Sequence, residues 1–154
     1  MIGFACPFIE TSARIAGGWL SGRYRKGQEL PQSTRRDRVW RRYDMSLPEN
    51  QAKLEAAETL ALLAEKAGMP LIELALAFVV RHPAVTSAII GPRTMEQLES
   101  QLPAGDVSLP ADILDRIDEI VPPGTNINAA DAGWANPALE VAARRRPERP
   151  ARAG

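Results

Sequence analysis

Arginine occupies position 93 in the stretch TSAIIGPRTMEQLESQL, residues 86–102, where a β-branched run stops at Gly91 and a helix is due to begin. Thr94 can cap that helix, and the pattern carries it to about Gln101. Unpaired backbone N–H groups leave partial positive charge at such an end. Asp or Glu is therefore its usual company, and Arg93 costs a few tenths to about 1 kcal/mol while the end is bare. An arriving anion reverses the sign, because helix amides and a guanidinium fork both favour it. Gly91 lets the backbone approach such a group closely. The competing reading has Gly91 and Pro92 making a turn, with Arg93 solvated. On these residues alone both readings stand.

Other reactive groups are sparse. Cys6 is the only cysteine, which excludes an internal disulfide and fits a reducing cytoplasm, the expected location. His82 is the only histidine and lies at a helix end before Pro83, a structural position. The run RRDRVWRR carries five arginines around Trp40. If helical, it aligns Arg35, Arg38 and Arg42 on one face, a footprint that could hold a phosphate backbone. Against that, Asp37 can pair with Arg41 four residues on. The chain also balances 19 basic against 19 acidic residues, and no nucleic-acid motif appears. These arginines read as the solvated side of a loop helix, and no nucleic-acid partner is expected.

The elements that must position these groups follow from period and punctuation. At 154 residues with 45% apolar content, the chain has the size of one domain. No apolar run approaches the ~20 residues that span a bilayer, so no membrane partner is expected. MIGFAC (1–6) reads as a short strand, followed by a long Gly- and Pro-rich loop to about residue 33. In SLPENQAKLEAAETLALLAEKAGMP, Ser46 and Glu49 have capping-box spacing and Pro48 suits a first turn. Leu54, Ala57, Leu60, Ala61 and Ala64 recur at helical spacing, and Gly68 is a stop. Residues 71–82 form a second helix, apolar nearly all round and so buried. AVTSAIIG reads as a buried strand, and SLPADILDRIDEIVPPG (108–124) as a capped helix with Ile113, Ile117, Ile120 and Val121 on one face. The last eleven residues hold five arginines and two prolines, which predicts a frayed basic tail.

That order poses a difficulty. Each buried N–H or C=O without a partner costs about 1–3 kcal/mol, and a sheet of two short strands is marginal in water. The chain reads as part of something larger.

Three motifs, AGGWLSGRYRKG (16–27), RHPAVTSAIIGPRTMEQLESQL (81–102) and INAADAGWANPALEVAARR (127–145), together resemble the C-terminal portion of an aldo/keto reductase. The resemblance is to the bacterial branch related to the potassium-channel β-subunit type. It implies an α/β fold, here a partial TIM (β/α)8 barrel holding about the last two βα units, helix-rich, with a disordered basic C-terminal tail. Residues 1–125 would be the barrel part and 126–154 a C-terminal extension. By the same resemblance the anion at Arg93 is the 2′-phosphate of NADP(H). Thr94 would add a hydroxyl or a cap, Gln97 and then Ser100 or Gln101 would face the adenosine, and Ile15, Gly18 and Leu20 would touch the cofactor from the earlier loop. Trp19 would line a substrate pocket or anchor that loop. The chain departs from the family at Ala13, Arg14 and Ile15, which replace Ser-Pro-Leu, and at Ser100-Gln101, which replace Glu-Asn.

Family members reduce small carbonyl compounds by hydride transfer from NADPH, using an Asp-Tyr-Lys-His tetrad from earlier strands. No residue here matches it, Tyr24 and Tyr43 included, so the chain by itself is expected to be inactive and no catalytic or metal-binding residue is assigned. The alternative is a non-catalytic half-barrel that associates through its exposed barrel edge.

Overall fold

The computed structural model describes residues 15–82, 85 and 87–128. The N-terminal strand expected over 1–6 and the tail after 128 lie outside the described residues.

Three helices build the core. The longest, α2 (Pro48–Lys66), follows α1 (Thr34–Arg38) and precedes α3 (Leu71–Arg81). Small side chains recur along α2, and Ala57, Ala61 and Ala64 are buried beside Leu60. Side chains that short let a neighbouring helix approach closely. The near-continuous apolar sequence of α3 buries Leu71, Leu74, Leu76, Ala77 and Val79. The amphipathic α5 (Ala111–Ile120) adds Ile117, with Ile113, Leu114 and Ile120 partly buried against the same core. Leu109 is fully covered just before α5 begins. Burying each such leucine or isoleucine is worth about 1.5–3 kcal/mol, which these short connections convert into one packed unit.

Terminal signals are partly as the spacing predicts. Pro48 takes the first turn of α2, and Gly68, with φ 78°, follows the last residues of that helix. The Ser46–Glu49 capping box does not form. Leu47 is the N-cap and offers no side-chain acceptor, while the Ser46 amide donates to Asp44 Oδ1 at 2.9 Å. Pro48 shifts the start one residue late, and Asp44 captures the serine in a turn of its own. Nor does α5 carry a side-chain cap, since Pro110 stands at its N-cap. At the end of α3, His82 leaves helical geometry with ψ 125°, as the following proline requires.

Two expectations need correction. Residues 87–90 form no strand, and none occurs among the described residues. The sequence supplies β-branched residues there, but a strand also needs a paired neighbour for its amides and carbonyls, and the described residues provide none. The long loop is also not structureless throughout. Ala16–Ser21 winds into a tight 3-10 turn, with Gly17 at φ 70° and Gly18 at φ 105°. In the arginine run, Val39 (φ −130°) ends α1, and Trp40–Arg42 forms a separate 3-10 turn. Arg42 therefore does not continue the helical face of Arg35 and Arg38.

Candidate functional site

The segment after Gly91 folds as a short capped helix, α4 (Met95–Glu99), which ends two residues before the expected Gln101. Thr94 Oγ1 accepts the Gln97 amide at 3.2 Å, and Gln97 Oε1 accepts the Arg93 amide at 2.8 Å. Side chain and backbone thus exchange bonds much as in a capping box, with the glutamine reaching one residue further back. Ser100 Oγ donates to the Gln97 carbonyl at 2.9 Å. Glu96 in the first turn provides the negative charge that such a terminus favours. Two groups keep an open valence there. Among the described residues the amides of Met95 and Glu96 have no acceptor, and the Arg93 guanidinium has no ion-pair partner. Gly91, Arg93, Thr94, Gln97 and Ser100 are all exposed, and Gln101 is half-buried. An oxyanion fits this set, since it would meet one guanidinium and two free N–H donors.

The other expected contacts lie on the glycine turn. Left-handed φ at Gly17 and Gly18 is the conformation a side chain resists. A β-carbon on Gly17 would also sit 3.1 Å from Tyr43 Oη. That hydroxyl donates to the Gly17 carbonyl at 2.6 Å, and Ser21 Oγ donates to the Gly18 carbonyl at 2.6 Å. Trp19 is the buried aromatic residue of the turn. Its ring lies 4.7 Å from Tyr24 and 5.6 Å from Tyr43, all three are buried, and Lys53 Nζ stands 5.0 Å from the indole centre. Trp19 therefore anchors the loop. Burial pushes the Tyr24 phenol above its ordinary value, with Arg23 opposing, so it stays protonated at neutral pH.

The structure places the nine candidate contacts in two groups. Ile15 is half-buried, Gly18 faces the Tyr24 ring and Leu20 is 5% exposed within the core. Leu20 also lines an apolar cavity of about 30 Å³ together with Leu60, Leu74, Phe78 and Ile117, a space with no polar group to meet a dinucleotide. The glycine turn packs on α2 and α3, while α4 packs on the Leu102–Gly105 turn, which itself lies on α3. Helix α3 is thus the shared support of both groups.

Sequence reasoning missed three features around them. The stacked tyrosines are one. The second is Asn50, fully buried, whose Nδ2 donates to the Arg41 and Asp44 carbonyls at 2.7 and 2.8 Å while its Oδ1 accepts from Asn128 at 3.2 Å. That bond ties the first residues past position 125 to the start of α2. The third joins Arg25 and Lys26 to Glu55, Glu58 and Glu65. Its signal was legible, since acidic residues spaced 3 and 7 apart share one helix face. No cluster of three or more His, Cys, Asp or Glu able to hold a metal occurs among the described residues, and no helix among them is long and apolar enough to cross a membrane.

Comparison with known proteins agrees with the motifs. The aldo/keto reductase family model matches residues 6–122. An uncharacterized oxidoreductase of Bacillus subtilis, YrpG, is 32% identical over 108 residues, 70% of this chain and 30% of its own length. A putative voltage-gated potassium channel subunit beta of Schizosaccharomyces pombe is 28% identical over 70% of the chain and 32% of its length. The protein tas of Escherichia coli is 30% identical over 67% of the chain and 29% of its length. The chain therefore matches about a third of the length of these curated relatives. With the family model covering most of its residues, this chain belongs to the aldo/keto reductase family.

Proposed function

We propose that this chain carries the adenosine-phosphate half of an NADP(H) site from a carbonyl-reducing aldo/keto reductase, a cytoplasmic enzyme whose barrel it supplies in part. The observation that carries the reading is the Arg93 guanidinium, left without an ion-pair partner among the described residues and only two and three residues before the free Met95 and Glu96 amides. Thr94 holds the helix end in place, Gln97 lies further along the same short helix, and Ser100 is its C-cap. In this reading Arg93 grips the 2′-phosphate, Gln97 and Ser100 or Gln101 face the adenosine, and Gly18 with Ile15 bounds the dinucleotide from the other turn, while Leu20 supports that turn from the core. The bound cofactor supplies hydride for a small carbonyl substrate. This chain's residues hold and orient the cofactor, and none of them is assigned the proton transfer.

Fluorescence titration of the full chain with NADPH and NADH tests the proposal. The wild type should favour NADPH, and Arg93→Ala should erase that preference. One charge-assisted contact to an exposed phosphate is worth about 1.5–3 kcal/mol, so the preference should be about 10- to 100-fold. Equal affinity of the wild type for both cofactors defeats the assignment.

A second reading is favoured by Ile89, Met95 and Leu102, which are 69%, 66% and 59% exposed. Apolar groups left that bare favour a chain that works by association with another polypeptide.

A further inference from the structure

We propose that Arg25 is the positioning residue of the glycine turn, strapping the loop behind Gly17 and Gly18 onto α2 so that the turn is preformed for its ligand. Glycines carry more conformational freedom than other residues, so a turn holding two of them at positive φ needs restraint from outside. Tyr43 Oη provides it on one side, through the 2.6 Å bond to the Gly17 carbonyl. On the other side the chain reverses at Gly22 (φ 80°), lays Tyr24 against Trp19, and reaches Arg25 one residue later.

There the guanidinium grips α2 at two heights. Nε and Nη2 each donate to one oxygen of Glu58 at 3.0 Å, and Nη1 donates to Glu65 at 2.5 Å. The Lys26 amide adds a bond to Glu58 at 2.9 Å. Two anchor points seven residues apart on a helix are separated by about 10 Å along its axis. They fix the direction of the loop as well as its position.

Exposure separates this contact from the one beside it. The Arg25 and Glu58 side chains are 26% and 18% exposed, whereas Lys26 and Glu55, joined at 2.7 Å, are each 61% exposed. An open pair of the second kind contributes little, while a sheltered, bidentate one holds its geometry. Arg25 is therefore the fastening, and lysine in its place would keep the charge but not the fork.

The consequence for the dinucleotide rests on the cofactor reading above; the strap itself does not. The experiment compares Arg25→Ala and Arg25→Lys with the wild type in the full chain. Chymotrypsin reports the strap, because Tyr24, buried against Trp19 and Tyr43, is the residue immediately before it. Cleavage after Tyr24 should quicken in both variants, with the helical melting signal kept as the folding control. NADPH titration reports the positioning. If releasing the strap leaves the turn competent about a fifth of the time, the Kd rises about fivefold. The NADPH-to-NADH preference should not change, because a different residue reads the phosphate. Unchanged cleavage overturns the strap. Faster cleavage with an unchanged Kd overturns the positioning role. A wild type that binds neither cofactor defeats the cofactor reading and leaves cleavage to decide the strap. A second measurement covers a poorly folding Arg25→Ala. Raising salt should speed the same cleavage in the wild type, and salt-independent cleavage would count against the ion pair.

Discussion

Replacing Asn50 with alanine should be among the most damaging single changes available in this chain. The side chain is fully buried and makes three hydrogen bonds, two donated to the Arg41 and Asp44 carbonyls and one accepted from Asn128. Each such bond contributes about 0.5–1.5 kcal/mol net, and a partner left unsatisfied in the interior costs about 1–3 kcal/mol. Both carbonyl bonds are only part-buried, so water can reach them once the amide is gone. A total of about 3 kcal/mol follows, against a domain stability of about 5–15 kcal/mol. With a urea m-value of about 2 kcal/mol/M, the unfolding midpoint should fall by about 1.5 M at unchanged m. Asn50→Asp is the sharper test. It keeps the shape but sets a carboxylate oxygen against two carbonyl oxygens, so it should destabilise at least as much as alanine. Tryptophan fluorescence in a urea series reads both. An alanine variant within about 0.5 kcal/mol of the wild type, the range of an ordinary surface change, would refute the assignment of Asn50 as the polar clamp of this region.

Acid should loosen the loop strap. The bidentate bond from Arg25, then the Lys26 amide, hold the Glu58 carboxyl below its ordinary value of 4.5. The stability this gives is complete above that value and is lost as pH falls through the depressed one. The stability gap between wild type and Glu58→Gln should therefore shrink on acidification below about pH 4.5, and a gap independent of pH would refute the linkage. The exposed Ile89, Met95 and Leu102 should drive association, so sedimentation velocity should show assembly that weakens in a triple Ile89→Ser, Met95→Ser, Leu102→Ser variant. A concentration-independent monomer would tell against it.

The α2 and α3 helices were legible because their apolar spacing states directly which side must leave water. Thr94 as a cap was equally legible, since a cap is a local bond between residues three apart. The Ser46–Glu49 pair had the same spacing and failed, because Pro48 set the helix start and Asp44 took the serine amide first. The stretch 87–90 had strand composition without strand pairing. A strand is made by its neighbour, and no local pattern supplies one.

Sequence by itself settled the family of this chain, two of its core helices and the capped helix start beside Arg93. All of these are written in residues close together along the chain. Only tertiary structure decided that Leu20 is core, that Trp19, Tyr24 and Tyr43 stack, and that Asn50 holds three separate segments together. It also decided that Arg25 reaches Glu58 and Glu65. Those contacts join residues as far as 78 positions apart, and their energy depends on burial and on distances of a few ångströms, which exist only once the helices have packed.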